Sequence, residues 1–424
     1  MTKTKYGNIK CIILAAGAGT RMNTQLPKPL HKIGNKTMLE RLIKTVRSSG
    51  IKDIGVVAGY NLDLLKQVLK KHNIKAIKQK KLLGSADAVK AARTYLGKPN
   101  GSVLVLYADT PLLKEATLKG LINSHRCSSA VCSLLVGNFT NPTGYGRILR
   151  DASDDIVEVI EEKDATDVQK GITEINVGAY CFKKKELFNM LKRIKKNSKK
   201  GEFYLTDIIK HFTNSGMFVA SYNECSESEA LGINSRQQLS TAGTVIRMRK
   251  IEKLMQEGVS FIDPATAYID DEVKIAKDTI IYPSVVIEGE VTIGKDCRIG
   301  PFARIRGKTK IGNGSTIGNF VEVVRSHIGS HTRVKHHTYL GDTYLGSKVN
   351  VGAGVITANY DGKNKNKTII KDKAFIGVGA VLIALIRIGA SVMVGAGSVV
   401  TKNKNVPDKS VVVGVPAKII RRKR

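Results

Sequence analysis

A chain of 424 residues is too long for one ordinary domain, so two domains, each with its own core, are expected. With 42% apolar and 25% charged residues it is neither a disordered nor a membrane-embedded composition. The net charge of +33 admits a nucleic-acid binder, but the basic residues are scattered, with short runs only at Lys195-Lys196, Lys199-Lys200 and Arg421 to Arg424, and no aromatics interleave with them. A solvated basic surface is therefore expected, with no specific nucleic-acid partner.

The apolar run from Cys11 to Ala16 is too short to span a membrane and has no cleavage pattern after it. The six cysteines form no CxxC pair, as expected of reduced, unligated thiols in a cytoplasmic protein. Up to about residue 230, short apolar runs alternate with helical patterns. Strands are predicted at 9–14, 54–58, 103–107, 130–136 and 175–182, and helices at 63–71, 85–95 and 114–123. This alternation implies a mainly parallel sheet covered by helices, over residues 1–234. A connecting helix follows from Ser235 to Glu257, closed by Gly258, within a link of 235–260.

The texture then changes. From Ile269 an aliphatic residue recurs every six positions as far as Val323. The phase slips by one to Ile328, slips again to Leu345, and returns from Ile370 to Val400 after a polar interruption at 357–369. A period of six fits neither a helix nor a two-faced strand. It fits one side and one corner of a triangular coil, with an inward aliphatic side chain at every rung. Twenty-one such anchors, at three per turn, make about seven coils over 261–417. The interruption is expected to be a polar excursion loop, and 418–424 a basic tail.

The first strand runs into Leu14-Ala15-Ala16-Gly17-Ala18-Gly19-Thr20-Arg21-Met22. Small residues at the C-terminal edge of a strand let backbone N–H groups approach a phosphate or a base. This segment, followed by Leu26-Pro27-Lys28-Pro29-Leu30, resembles the signature of the sugar-1-phosphate nucleotidylyltransferases. The resemblance continues through Tyr107-Ala108-Asp109, the PTGYGR loop at 142–147, the EKDAT segment at 162–166, Glu174-Ile175-Asn176 and Asn234. It implies that Arg21 and Lys28 neutralise the triphosphate and that Asp109 and Asn234 hold Mg²⁺. It implies a nucleotide site of Leu14, Ala15, Ala16, Gly17, Lys28, Gln79, Gly84 and Ser85. The implied sugar site comprises Tyr107, Asp109, Gly146, Glu161, Asn176 and Asn234. The segment Gly84-Ser85-Ala86-Asp87-Ala88 departs from the usual GTGHA, keeping a hydroxyl at Ser85 but placing Asp87 where a histidine is usual.

In the coil region, Gly318-Asn319-Phe320-Val321-Glu322, His336-His337-Thr338-Tyr339-Leu340-Gly341-Asp342, Val349 to Gly354 and Asn359-Tyr360-Asp361-Gly362 complete a second pattern. Nearly the whole chain then resembles, in the same domain order, the bifunctional family of N-acetylglucosamine-1-phosphate uridylyltransferase/glucosamine-1-phosphate acetyltransferases. The implied architecture is an α/β Rossmann-like nucleotidyltransferase domain followed by a left-handed parallel β-helix of hexapeptide repeats. The implied substrates are UTP, N-acetylglucosamine 1-phosphate, acetyl-CoA and glucosamine 1-phosphate, in a homotrimer. His336 becomes the general base that accepts a proton from the acceptor amine, a task suited to imidazole. Arg306, Glu322, Tyr339 and Asn350 hold the acceptor, and Ala353, Asn359, Tyr360 and Ala396 line the acetyl-CoA site. Val324, Val378 and Gly414 replace a lysine, a serine and an arginine of that pattern, and the coil region looks about two coils shorter. Two competing readings are a uridylyltransferase whose β-helix only builds the trimer, and a basic interaction protein that binds nucleic acid.

Overall fold

The computed structural model describes residues 9–17, 19–197 and 201–422. Ala18 of the glycine-rich segment, and Lys199, Lys200, Lys423 and Arg424 of the basic runs, lie outside the described residues. The chain divides between Val245 and Ile246 into two compact units.

In the first unit the strand Lys10–Leu14 is buried on both faces, and it reads as a continuous apolar run rather than an alternating one. It pairs in parallel with Ile54–Ala58 on one side and Ser102–Tyr107 on the other. Among the described residues, nine strands make this sheet. Alternate side chains of the first strand enter two separate cores, Cys11 and Ile13 on one face and Ile12 and Leu14 on the other. The sheet turns antiparallel at Glu174–Lys183, which runs between Ser102–Tyr107 and Cys132–Asn138. The register of this long strand shifts between Asn176 and Tyr180. Gly178 adopts φ +87° there, and a Cβ on it would lie 2.6 Å from the Tyr107 ring. Glycine is thus required at 178 for both conformation and space. The hairpin of Gly146–Arg150 and Ile156–Ile160 was not predicted, and it attaches where Gly146 pairs with Asn176. The predicted helix over 85–95 divides at Ala92 into Ser85–Ala91 and Arg93–Leu96. A single helix spans Arg236–Gln256, within the stretch where one was expected.

The second unit is a left-handed parallel β-helix of three faces. Its first face begins with Ser260–Phe261, its second with Tyr268–Ile269 and its third with Lys274–Ile275. Every predicted aliphatic anchor from Ile269 to Val400 is buried in a single column. The column is longer than the predicted seven coils. Phe261 precedes it and Val412 prolongs it on the first face, Val406 prolongs it on the third, and among the described residues the second and third faces each hold eight strands.

Thr357 corrects the reading of the interruption. It pairs with Leu382, occupies the next anchor position after Val351, and is fully buried. Its hydroxyl accepts from Gly341 N at 2.8 Å and meets Thr343 Oγ1 at 3.2 Å. A hydroxyl therefore stands in the apolar column with its hydrogen bonds satisfied. The excursion proper runs from Asn359 to Lys367.

The two phase slips have one cause. At the corner between the second and third faces, the links through Arg325 and Asp342 are one residue shorter than the link through Gly307. Both residues take φ +49°, and Arg325 grips Asp342 with two bonds of 2.7 Å. Behind them Thr309, Ser326 and Thr343 form a buried hydroxyl ladder, with Ser326 N donating to Thr309 Oγ1 and Thr343 N to Ser326 Oγ. The expected basic tail is also corrected. Lys418–Arg422 is a strand that returns antiparallel against Ser410–Val413, with Val412 opposite Ile419.

Candidate active sites

In the first unit, the C-terminal ends of two neighbouring parallel strands deliver functional groups. Leu14 ends the first, Tyr107 the next in the sheet, and Asp109 follows two residues later. Together with Gln79, Gly84 and Ser85 they surround a cavity of about 390 Å³ that also includes Ala15, Ala16, Gly17 and Lys28. The whole predicted nucleotide set is therefore brought together. At the rim, Lys28 Nζ donates to Asp109 Oδ2 at 2.6 Å and to Asn234 Oδ1 at 2.7 Å. Arg21 Nη2 donates to the same Asn234 oxygen at 2.9 Å. Asn234 is more than two hundred residues from Arg21, so the fold alone creates this group.

The predicted sugar residues lie beyond Tyr107. Its hydroxyl hydrogen-bonds Ser85 and Tyr180, and burial pushes it well above the usual phenol range. Asn176 Nδ2 donates to Tyr180 Oη at 2.6 Å. A polar chain thus connects Ser85 of the nucleotide loop to Asn176 of the sugar set. Glu161 accepts from Thr206 Oγ1 at 2.9 Å. Beside it, burial and then the carboxylates of Glu161 and Asp164 push the Asp207 carboxyl up to about 6, against the pull of Lys210.

In the second unit, stacking converts sequence spacing into proximity. Asn319 pairs with His336 on the first face, and Glu322 pairs with Tyr339 on the second. His336 Nδ1 lies 2.8 Å from Asn319 Oδ1. An amide oxygen only accepts, so Nδ1 carries the proton and Nε2 is left with its lone pair. Arg306 Nε donates to Glu322 Oε1 at 2.7 Å. Ala353, Val378 and Ala396 stack on one corner of successive coils, with Gly379 N donating to Ala353 O and Gly397 N to Val378 O, both at 2.8 Å. Asn350 lies on the first face, paired with Arg333 and Phe375. Tyr360 projects from the excursion and is exposed. Asn359 is buried and donates to Asp342. Val324 is buried, outside the aliphatic column, and pairs with Arg306 on the adjacent coil. A larger groove of about 1440 Å³ on the third face is lined by Asp342 but by none of the residues predicted for acetyl transfer.

The comparisons with known proteins decide between the readings. A family model described as nucleotidyl transferase matches residues 10–226. One described as bacterial transferase hexapeptide (six repeats) matches 272–307 and 290–325. The bifunctional protein GlmU of Carboxydothermus hydrogenoformans is 40% identical over 95% of this chain and 96% of its own length. The protein of that name from Clostridioides difficile is 38% identical over 98% and 96%, and that from Lactococcus lactis 39% over 95% and 94%. The chain belongs to the GlmU family. It is accordingly an enzyme of UDP-N-acetylglucosamine synthesis that combines uridylyl with acetyl transfer.

Against the GlmU pattern, sequence reasoning missed Glu202 and Leu82 on the cavity wall. Glu202 arrives there because Phe203 N donates to Leu83 O and Ala86 N to Phe203 O, a pairing of two loops that no periodicity announces. Asn319 was read only as part of a motif, and its contact with His336 follows from the seventeen-residue coil between them. No helix among the described residues is long and apolar enough to cross a membrane.

Proposed function

We propose that residues 1–234 carry uridylyl transfer and 261–417 carry acetyl transfer, at the two residue groups described above. The observation that carries this reading is the convergence of Arg21, Lys28, Asp109 and Asn234 at the rim of the cavity formed by the glycine-rich segment. The phosphate of N-acetylglucosamine 1-phosphate attacks the α-phosphorus of UTP and pyrophosphate departs. No protein nucleophile is needed. Arg21 and Lys28 hold the triphosphate and offset the charge that builds on the leaving group, so catalysis is positioning and electrostatics.

Asp109 Oδ2 and Asn234 Oδ1 meet on one ammonium at 2.6 and 2.7 Å. Two hard oxygens held on a single cation suit Mg²⁺, which takes its remaining ligands from phosphates and water. When bound, the ion supplies charge neutralisation and orientation of the phosphates.

In the second unit His336 Nε2 accepts the proton that leaves the 2-amine of glucosamine 1-phosphate as that nitrogen attacks the thioester carbonyl of acetyl-CoA and CoA departs. Asn319 fixes the tautomer. Arg306, Glu322, Tyr339 and Asn350 hold the sugar, and the Ala353–Ala396 corner with Asn359 and Tyr360 receives the coenzyme. Beside His336, Phe302, Phe320 and His337 form an exposed ring stack at spacings of 5.2 and 5.0 Å. With Phe302 52% and Phe320 53% exposed, this apolar edge suits burial against a neighbouring copy in a homotrimer. UTP and acetyl-CoA as substrates agree with a cytoplasmic enzyme.

The test follows CoA and pyrophosphate separately with Mg²⁺, acetyl-CoA, glucosamine 1-phosphate and UTP. A second reaction replaces the amine by N-acetylglucosamine 1-phosphate. Both products are expected in the first reaction, and pyrophosphate alone in the second. Chelation of Mg²⁺ is expected to stop pyrophosphate release while CoA release continues. Pyrophosphate without CoA would reduce the β-helix to a scaffold.

A further inference from the structure

We propose that Asp87 governs base selection by fixing the amide of Gln79; this rests on the reading of the cavity as a uridine nucleotide site. Gln79 is a buried wall residue of that cavity. Its Nε2 donates to Asp87 Oδ2 at 2.8 Å and to Gly84 O at 3.2 Å. An amide nitrogen has two N–H groups, so both are used. A carboxylate and a peptide carbonyl accept only, and the reversed amide would set Oε1 against two acceptors. Oε1 is therefore the amide atom turned to a ligand.

Both acceptors stand on firm backbone. Gly84 adopts φ +103°, and a Cβ there would lie 2.6 Å from Phe203 O, so this loop conformation is reserved for glycine. Asp87 is in the first turn of Ser85–Ala91, whose start is tied by Ala86 N to Phe203 O and by Leu205 N to Ser85 Oγ. Uracil presents N3–H, a donor, between two carbonyls. Cytosine presents an unprotonated N3, an acceptor, between a carbonyl and an amino group. An acceptor at Oε1 complements the first and opposes the second, and it treats thymine as it treats uracil. A side chain at 87 that both donates and accepts would leave the amide free to turn.

The full-length protein, Asp87→Ala and Asp87→Asn are compared for pyrophosphate release from UTP and CTP with N-acetylglucosamine 1-phosphate. The parent is expected to favour UTP, and Asp87→Ala to lower the UTP/CTP ratio of kcat/KM by about tenfold. Asp87→Asn presents both an acceptor and a donor, so the Gln79 amide can turn, and it is expected to lower the ratio as well. Should Asp87→Ala not fold, Asp87→Ser, whose hydroxyl takes either role, is expected to show the same loss. Equal loss of activity with both nucleotides at an unchanged ratio makes Asp87 a helix residue only and overturns the proposal alone. A parent enzyme indifferent between UTP and CTP overturns the uridine reading and the proposal with it.

Discussion

At the scale of single residues, the uridylyl transfer proposed for the first unit rests on two cations. Arg21 and Lys28 share the oxygen of Asn234, so each helps to position the other. Arg21→Ala is expected to lower turnover in pyrophosphate release by about two or more orders of magnitude, the scale of one lost transition-state contact. In the second unit the test residue is Asn319. Asn319→Asp places a charge beside Nδ1 of His336 and favours the imidazolium, so the acid limb of acetyl-transfer kcat/KM is expected to move up by about one pH unit. A mere packing role for Asn319 would leave the profile in place. Asp207 gives a stability prediction instead. Its folded-state carboxyl is raised to about 6, above its unfolded value, so the folded protein holds the extra proton between about pH 4 and 6 and loses stability as pH rises through that window. Asp207→Asn has no such loss. In thermal melts it is expected to gain on the order of 1 kcal/mol at pH 8 and nothing at pH 4.

At the scale of elements, the β-helix was legible because its period belongs to the coil itself. Each anchor is one rung, and even the slips at Ile328 and Leu345 record a real shortening of the corner at Arg325 and Asp342. What escaped was whatever breaks the aliphatic rule. Thr357 reads as polar but is a rung, because neighbouring hydroxyls and Gly341 N satisfy it. Thr357→Val fills the column with an aliphatic side chain and leaves the Gly341 N–H without an acceptor. It is therefore expected to destabilise the second unit by about 1–2 kcal/mol in denaturant titration. In the first unit the parallel strands Lys10–Leu14, Ile54–Ala58 and Ser102–Tyr107 were legible as apolar runs, whereas Lys75–Lys78, Val219–Tyr222 and the hairpin of Gly146–Arg150 and Ile156–Ile160 mix polar and apolar residues and were not. The cavity wall was legible where the motif is contiguous, from Leu14 to Gly17. It was not at Glu202, whose place depends on loop-to-loop bonds.

At the scale of the whole molecule, separate cores form on either side of Val245, two before it and one after, and all residues assigned to uridylyl transfer lie before it. A chain ending at Val245 is expected to release pyrophosphate from UTP at a rate comparable to the full protein and to release no CoA. Loss of both activities would show that the first unit does not stand alone. The chain's +33 charge also predicts retention on anionic supports that fades as salt rises, since screening acts over about 8–10 Å at moderate ionic strength.

The returning strand Lys418–Arg422 has a consequence for how such a molecule stays discrete. A stack of parallel coils is a short crystal in one direction, and every coil is a template for the next. On the first face, growth by addition of another molecule's parallel coil would need the free hydrogen-bonding edge of Ser410–Val413. That edge is consumed by a strand of opposite direction that carries Lys418 and Arg421. Reversing the polarity of the last strand, and charging it, breaks the repeat that a filament would propagate.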